Sequence, residues 1–167
     1  DRSVGTRVDY RGRGVAPDGS VIAAVSSAPL PELLRIMLVD SDNSLAEVIA
    51  REVALAQQMA DPGAAVLDAT GLPSRLLEDV LLVDGSGLSD DTQISQDAVT
   101  WLLADIGASD GLAAVRDGLA VAGETGSLRN RYETTAGALA GRVAAKTGSL
   151  TGIRSLAGYL EADDGSE

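Results

Sequence analysis

Arg142-Val143-Ala144-Ala145-Lys146-Thr147-Gly148-Ser149-Leu150 is the stretch from which the rest of the chain is read. It holds the one lysine of the 167-residue sequence; every other basic position, from Arg2 to Arg154, is arginine. Lysine is a compact point charge whose pKa moves on desolvation, whereas arginine stays protonated. An ammonium kept at a single place points to chemistry that a guanidinium cannot do. Taken alone, the residue fits equally well a strand-end lysine reaching into water. Arg142–Lys146 reads as one strand and Ile153–Glu161 as its antiparallel partner, with Gly148-Ser149-Leu150-Thr151-Gly152 as the bend between them.

Far upstream lies a second polar tripeptide, Ser41-Asp42-Asn43. Before it, Pro31-Glu32 opens a helix, with proline in the first turn and an acid near the positive end of the dipole. Leu30, Leu33, Leu34, Met37 and Leu38 fall at helical spacing and form one apolar stripe. After it, Ser44-Leu45-Ala46-Glu47 has the form of a capping box, worth about 1 kcal/mol for the cap. Leu45, Val48, Ile49, Val53 and Ala56 continue that helix to about Met59. The tripeptide is therefore expected in a tight loop between two packed helices, where side chains keep a fixed direction.

Elsewhere the pattern is weaker. Strands are expected over 4–10 and 20–25 around a Gly/Pro loop at 12–19, a short helix over 64–69 and a short strand over 79–83. Asp84-Gly85-Ser86-Gly87-Leu88-Ser89 reads as a structural turn-rich loop, Ser95 as the cap of a helix through Ile106, and Gly111–Leu119 as another short helix. The opening Asp1-Arg2-Ser3-Val4-Gly5 does not read as a natural start. Residues 163–167 look like a hairpin turn with no returning strand, so the domain is expected to be incomplete at both ends.

Composition narrows the chemistry. At 45% hydrophobic, the chain can build one α/β core, mainly from Leu, Val, Ile and Ala. A net charge of −12, without basic runs or aromatic platforms, argues against a nucleic-acid partner. The sequence has no histidine, which excludes a Ser-His-Asp triad or a His-ligated metal within it. It has no cysteine, which excludes thiol nucleophiles, thiolate metal sites and disulfides. No apolar run approaches the ~20 residues of a membrane span. No metal and no cofactor are expected.

A Ser-Asp-Asn followed by a late Lys-Thr-Gly, together with a Ser-x-x-Lys nucleophile motif, is the signature of penicillin-recognising serine enzymes. Either tripeptide alone can arise by chance, or serve as a cap or a turn; their order and spacing make the joint signal. From about Pro29 to Glu161 the chain resembles the C-terminal part of the D-alanyl-D-alanine carboxypeptidase family of low-molecular-mass class C penicillin-binding proteins. The resemblance rests on residues 29–34 running into Met37-Leu38-Val39-Asp40-Ser41-Asp42-Asn43, on Val83–Ser89, on Gly126-Ser127-Leu128 with Arg131, and on Arg142–Leu150. It implies an α/β transpeptidase-like domain over 29–167, a helical cluster packed on an antiparallel sheet. Residues 1–28 would be the end of an inserted domain or a connector.

The resemblance also implies roles. Ser41 would relay a proton to the leaving nitrogen, Asn43 would contact the substrate amide, and Lys146 would hold the relay and the substrate carboxylate electrostatically. Thr147 and Ser149 would offer hydroxyls to that carboxylate. Gly148 would complete the substrate-binding strand, and the Ser149 N–H would be an oxyanion donor worth about 3 kcal/mol. The implied substrate is a peptidoglycan stem peptide outside the cytoplasm, cleaved through an acyl-enzyme by a carboxypeptidase that can also be an endopeptidase; β-lactams are the implied inhibitors. One departure stands out: Val143 lies three places before the only lysine, so no Ser-x-x-Lys exists here. The nucleophile is expected on an upstream segment of the same protein. Two other readings stay open: a class A-like β-lactamase, though Glu78-Asp79 lacks the expected context, and a non-catalytic peptidoglycan-binding relative.

Overall fold

The computed structural model describes residues 24–132 and 139–162. The strands expected over 4–10 and 20–25, the loop at 12–19 and the closing turn at 163–167 lie outside them, apart from Ala24 and Val25, which belong to no strand. The first helix, α1, runs Leu30–Asp40 with Pro31 in its first turn. It ends where Ser41 adopts a left-handed conformation (φ 56°, ψ 48°), its N–H and that of Asp42 both returning to the Met37 carbonyl. The chain thus reverses within two residues and enters α2, Asn43–Gln57.

The expected capping box at Ser44 and Glu47 does not form. Asp42 caps α2 instead, its Oδ1 accepting from the Leu45 N–H at 2.9 Å. The left-handed Ser41 leaves Asp42 in the extended conformation that a cap requires, so the helix starts two residues early and Ser44 falls inside the first turn. Glu47 is then free to reach another part of the chain. Helix α3, Pro62–Ala69, is capped by Asp61 and packs against α2. Buried Ala50, Ala54 and Ala65 line these two helices; their small side chains let the backbones approach closely.

A short helix, α4, covers Ser74–Leu77 and had no clear signal in the sequence. The strand expected over 79–83 is reduced to one bridge, Leu81 with Gln93. Here the chain meets a helix rather than a neighbouring strand, for a Cβ on Gly63 of α3 would overlap the Leu82 carbonyl. Helix α5, Gln96–Ala108, is capped by Ser95 as its sequence predicts. The helix expected over 111–119 breaks into a 3-10 turn, Asp110–Leu112, and a short α6, Ala113–Arg116. Gly118 is pressed against Arg35 and Leu38 of α1, and the chain must straighten by Ala120 to pair with the sheet.

Among the described residues the sheet has three antiparallel strands in the order β1 (Ala120–Val121), β2 (Val143–Leu150) and β3 (Ile153–Leu160). Ala145 pairs with Ala120 on one side and with Gly158 on the other. The bend is tighter than expected: β2 runs on to Leu150, which pairs with Ile153, and only Thr151-Gly152 turn, with Gly152 at φ 79°. The Lys-Thr-Gly segment is therefore mid-strand, not at a strand end. Beneath it Ala120, Leu128 and Ala145 form a fully buried cluster with Tyr132 and Val143 packed against it.

Between β1 and β2 a 3-10 turn, Gly126–Leu128, wedges under the C-terminal end of α1. Gly126 has φ 53° and lies so close to the Val39 carbonyl that a Cβ would overlap it. This contact seats the Ser41 turn against the sheet. Gly126→Ala in the full-length protein is expected to cost about 1–3 kcal/mol, read from the urea midpoint at unchanged m-value. A loss under about 0.5 kcal/mol would contradict the tight seat.

Candidate active site

The hydroxyl of Ser41 and the ammonium of Lys146, 105 positions apart, meet in a hydrogen bond: Nζ donates to Oγ at 2.6 Å. Nζ also donates to the Thr147 carbonyl at 2.9 Å, which folds the long side chain back along β2. The two acceptors are uncharged, and Lys146 is half-buried. Desolvation consequently pushes the ammonium below its ordinary value. The next residue supplies a second link, the Thr147 hydroxyl donating to the Ser127 hydroxyl at 2.7 Å.

Each partner is held by a local feature. Ser41 occupies a left-handed conformation that costs a residue with a Cβ about 1 kcal/mol and that glycine would adopt freely. A serine kept there presents its hydroxyl to Lys146. Gly148, two residues beyond Lys146, is opposite Ser155, and a Cβ at 148 would collide with the Ser155 hydroxyl. Ser149 is exposed and pairs with Arg154.

The sequence-derived residues thus divide. Ser41, Lys146 and Thr147 converge, while Gly148 and Ser149 follow on the same strand. Asn43 is exposed at the first position of α2, and among the described residues no hydrogen bond joins it to the Ser41–Lys146 pair. Ser127 was missed as a participant. Its contact with Thr147 spans 20 residues and had no local signal beyond the Gly126-Ser127-Leu128 pattern itself. Among the described residues no three His, Cys, Asp or Glu side chains converge as a metal site would require.

The Asp84–Ser89 loop is held by carboxylates, in keeping with its structural reading. Asp84 Oδ2 accepts from the N–H groups of Leu88 and Ser89 at 2.7 and 2.9 Å and from the Ser86 hydroxyl at 3.0 Å. Its Oδ1 accepts from the Thr92 hydroxyl at 2.9 Å. Burial works against ionisation here, but the donors from Ser89, Thr92, Ser86 and Leu88 together outweigh it and hold the carboxyl below its ordinary value.

The sequence pattern of the D-Ala-D-Ala carboxypeptidase 3 (S13) family matches residues 7–167. The chain belongs to this family. It is 45% identical over 151 residues to carboxypeptidase DacB of Mycolicibacterium smegmatis, which covers 85% of this chain and 33% of that protein. It is 32% identical over 159 residues to the D-alanyl-D-alanine carboxypeptidase of Actinomadura sp. strain R39, covering 89% of this chain and 29% of that one. The fold agrees with that of penicillin binding protein 4 (dacB) from Haemophilus influenzae, solved in complex with a β-lactam. The TM-score is 0.72 at 29% identity, over 82% of this chain and 33% of the other. The chain therefore has the penicillin-binding fold and spans about a third of the length of these S13 relatives.

Two titrations test the electrostatics. Unfolded, Lys146 titrates near 10.5; folded, it titrates lower, so between the two values the unfolded state binds more protons. Stability contributed by this group therefore rises with pH across that window, and the burial penalty is at full strength below it. The stability of the parent relative to Lys146→Met is expected to climb as pH approaches 10.5; a flat difference would contradict the burial. For Asp84 the sign is reversed. Its stabilisation is present above its ordinary 3.8 and fades as pH falls through the lower folded value, so the gap between the parent and Asp84→Asn should shrink there.

Proposed function

We propose that this chain is the part of a serine-type D-Ala-D-Ala carboxypeptidase that carries the proton relay and the substrate-binding strand. The observation that supports it best is the 2.6 Å bond from Lys146 to Ser41. Acyl transfer without histidine needs a hydroxyl nucleophile, a base, a donor for the leaving nitrogen and fixed N–H groups for the oxyanion. Ser41 suits the third requirement. Its hydroxyl proton passes to the leaving D-alanine nitrogen as the scissile C–N bond breaks, and the desolvated Lys146 ammonium replaces that proton.

Asn43, at the start of α2, would contact the substrate amide. Residues 147–149 would pair with the extended substrate as an added strand does, the Thr147 and Ser149 hydroxyls meeting the terminal carboxylate and the Ser149 N–H the oxyanion. The nucleophile and its own lysine belong, on this reading, to a Ser-x-x-Lys elsewhere in the full-length protein. Its substrate is the peptidoglycan stem peptide, with endopeptidase cleavage of the same D,D-linkage as a second activity. β-Lactams acylate it because they present a carbonyl and carboxylate in the same relation. Peptidoglycan lies outside the cytoplasm, and so, on this proposal, does the protein.

Fluorescent penicillin tests this. The full-length protein is expected to take a covalent label that survives for hours, and Lys146→Arg to slow labelling by about a hundredfold or more with the far-UV spectrum unchanged. The 167-residue chain alone, without a Ser-x-x-Lys, is expected to take none. Turnover of the label within minutes would favour a β-lactamase. Failure of the full-length protein to label would favour a non-catalytic peptidoglycan-binding role.

A further inference from the structure

Helix α2 begins with exposed residues, Asp42, Asn43 and Ser44, and the Asp42 side chain bonds only within its own first turn. One turn on, Glu47 reaches across to the Asp84–Ser89 loop. Its Oε1 accepts from the Gly85 N–H at 3.1 Å and from the Ser86 N–H at 3.0 Å. Among the described residues it is the α2 side chain nearest Asn43 that hydrogen-bonds to another part of the chain. The loop is pressed onto the same helix, for a Cβ on Gly85 would crowd the Ala50 methyl and the Ala46 carbonyl. Asp84 makes that loop a stiff anchor through its four accepted hydrogen bonds.

Asn43 and Glu47 are four residues apart, one above the other on the same face of α2. The buried residues of α2, Ala50 and Ala54, lie further along, and its first turn contributes none. We infer that Glu47 is a positioning residue: by gripping the Gly85 and Ser86 amides it sets the rotation of the first turns of α2, and so the direction in which Asn43 meets the substrate. The inference rests on the carboxypeptidase reading, in which Asn43 contacts the substrate. A carboxylate accepting two backbone N–H groups suits the task because neither donor can rotate away.

The test is the rate at which fluorescent penicillin acylates the full-length protein, measured well below the lowest melting temperature of the set. Glu47→Ala is expected to slow acylation about tenfold, and Glu47→Gln, which keeps an acceptor oxygen in place, to stay within about threefold of the parent. In an Asn43→Ala background the same Glu47→Ala change should cost less than about twofold, because the residue it positions is gone. A purely structural staple would lower the melting temperature without this epistasis. Acylation by Glu47→Ala at the parent rate, or an undiminished loss in the Asn43→Ala background, overturns the inference. Should Glu47→Ala not fold, Glu47→Asp, whose carboxylate is withdrawn by one methylene, carries the same comparison with the same expected loss. A parent protein that takes no label removes the carboxypeptidase reading and this inference with it; a labelled parent with an insensitive Glu47 removes the inference alone.

Discussion

The bond from Lys146 to Ser41 joins the end of a helix to the middle of a strand across 105 positions of sequence. Neither end of it is adjustable by small shifts. Ser41 is pinned by the left-handed turn that closes α1, and that turn rests on Gly126, where there is no space for a side chain beside the Val39 carbonyl. Lys146 is pinned by β2, whose neighbour Ala145 is buried between β1 and β3. The helical layer and the sheet therefore meet in one register, and that register brings the two polar side chains together.

The electrostatics of this meeting run against the character of the whole chain. With a net charge of −12, a carboxylate partner for the only lysine would be easy to supply. Its described partners are instead a hydroxyl and a carbonyl. A carboxylate would raise the lysine's pKa and hold its proton; burial without one lowers it, which favours release of a proton to a neighbour. Arginine, always protonated and wide, could fill the space but not that role. Keeping a single lysine in an otherwise arginine-using chain is consistent with this physical difference.

Much of this arrangement was legible before any coordinates. The stripe from Leu30 to Leu38 marks α1 because a 3.6-residue period needs only local order, and Ser95 marks the start of α5 for the same reason. The pair β2–β3 follows from two apolar runs and a glycine turn. What escaped depends on contacts distant in sequence. The cap of α2 moved to Asp42 because Ser41 turned left-handed, and Glu47 left its expected capping role for amides nearly forty positions away. The expected strand over 79–83 yielded to Gly63, and the helix over 111–119 broke after Leu112 and ended at Arg116, short of Gly118, which packs on α1. Within the site, Ser41, Lys146 and Thr147 were readable as motif residues. The Ser127–Thr147 link was not, since two hydroxyls 20 positions apart carry no pattern.

The S13 carboxypeptidase of Mycolicibacterium smegmatis and penicillin binding protein 4, whose fold this chain shares, are each about three times as long as this chain. On the proposed reading, the Ser41–Lys146 pair faces the bond being broken. A crystal structure of the full-length protein acylated by a β-lactam tests it most directly. The expected result has Ser41 Oγ within about 3.2 Å of both Lys146 Nζ and the former ring nitrogen of the adduct. An adduct bound away from Ser41, or a separation of more than about 4 Å between Ser41 Oγ and Lys146 Nζ, would contradict it.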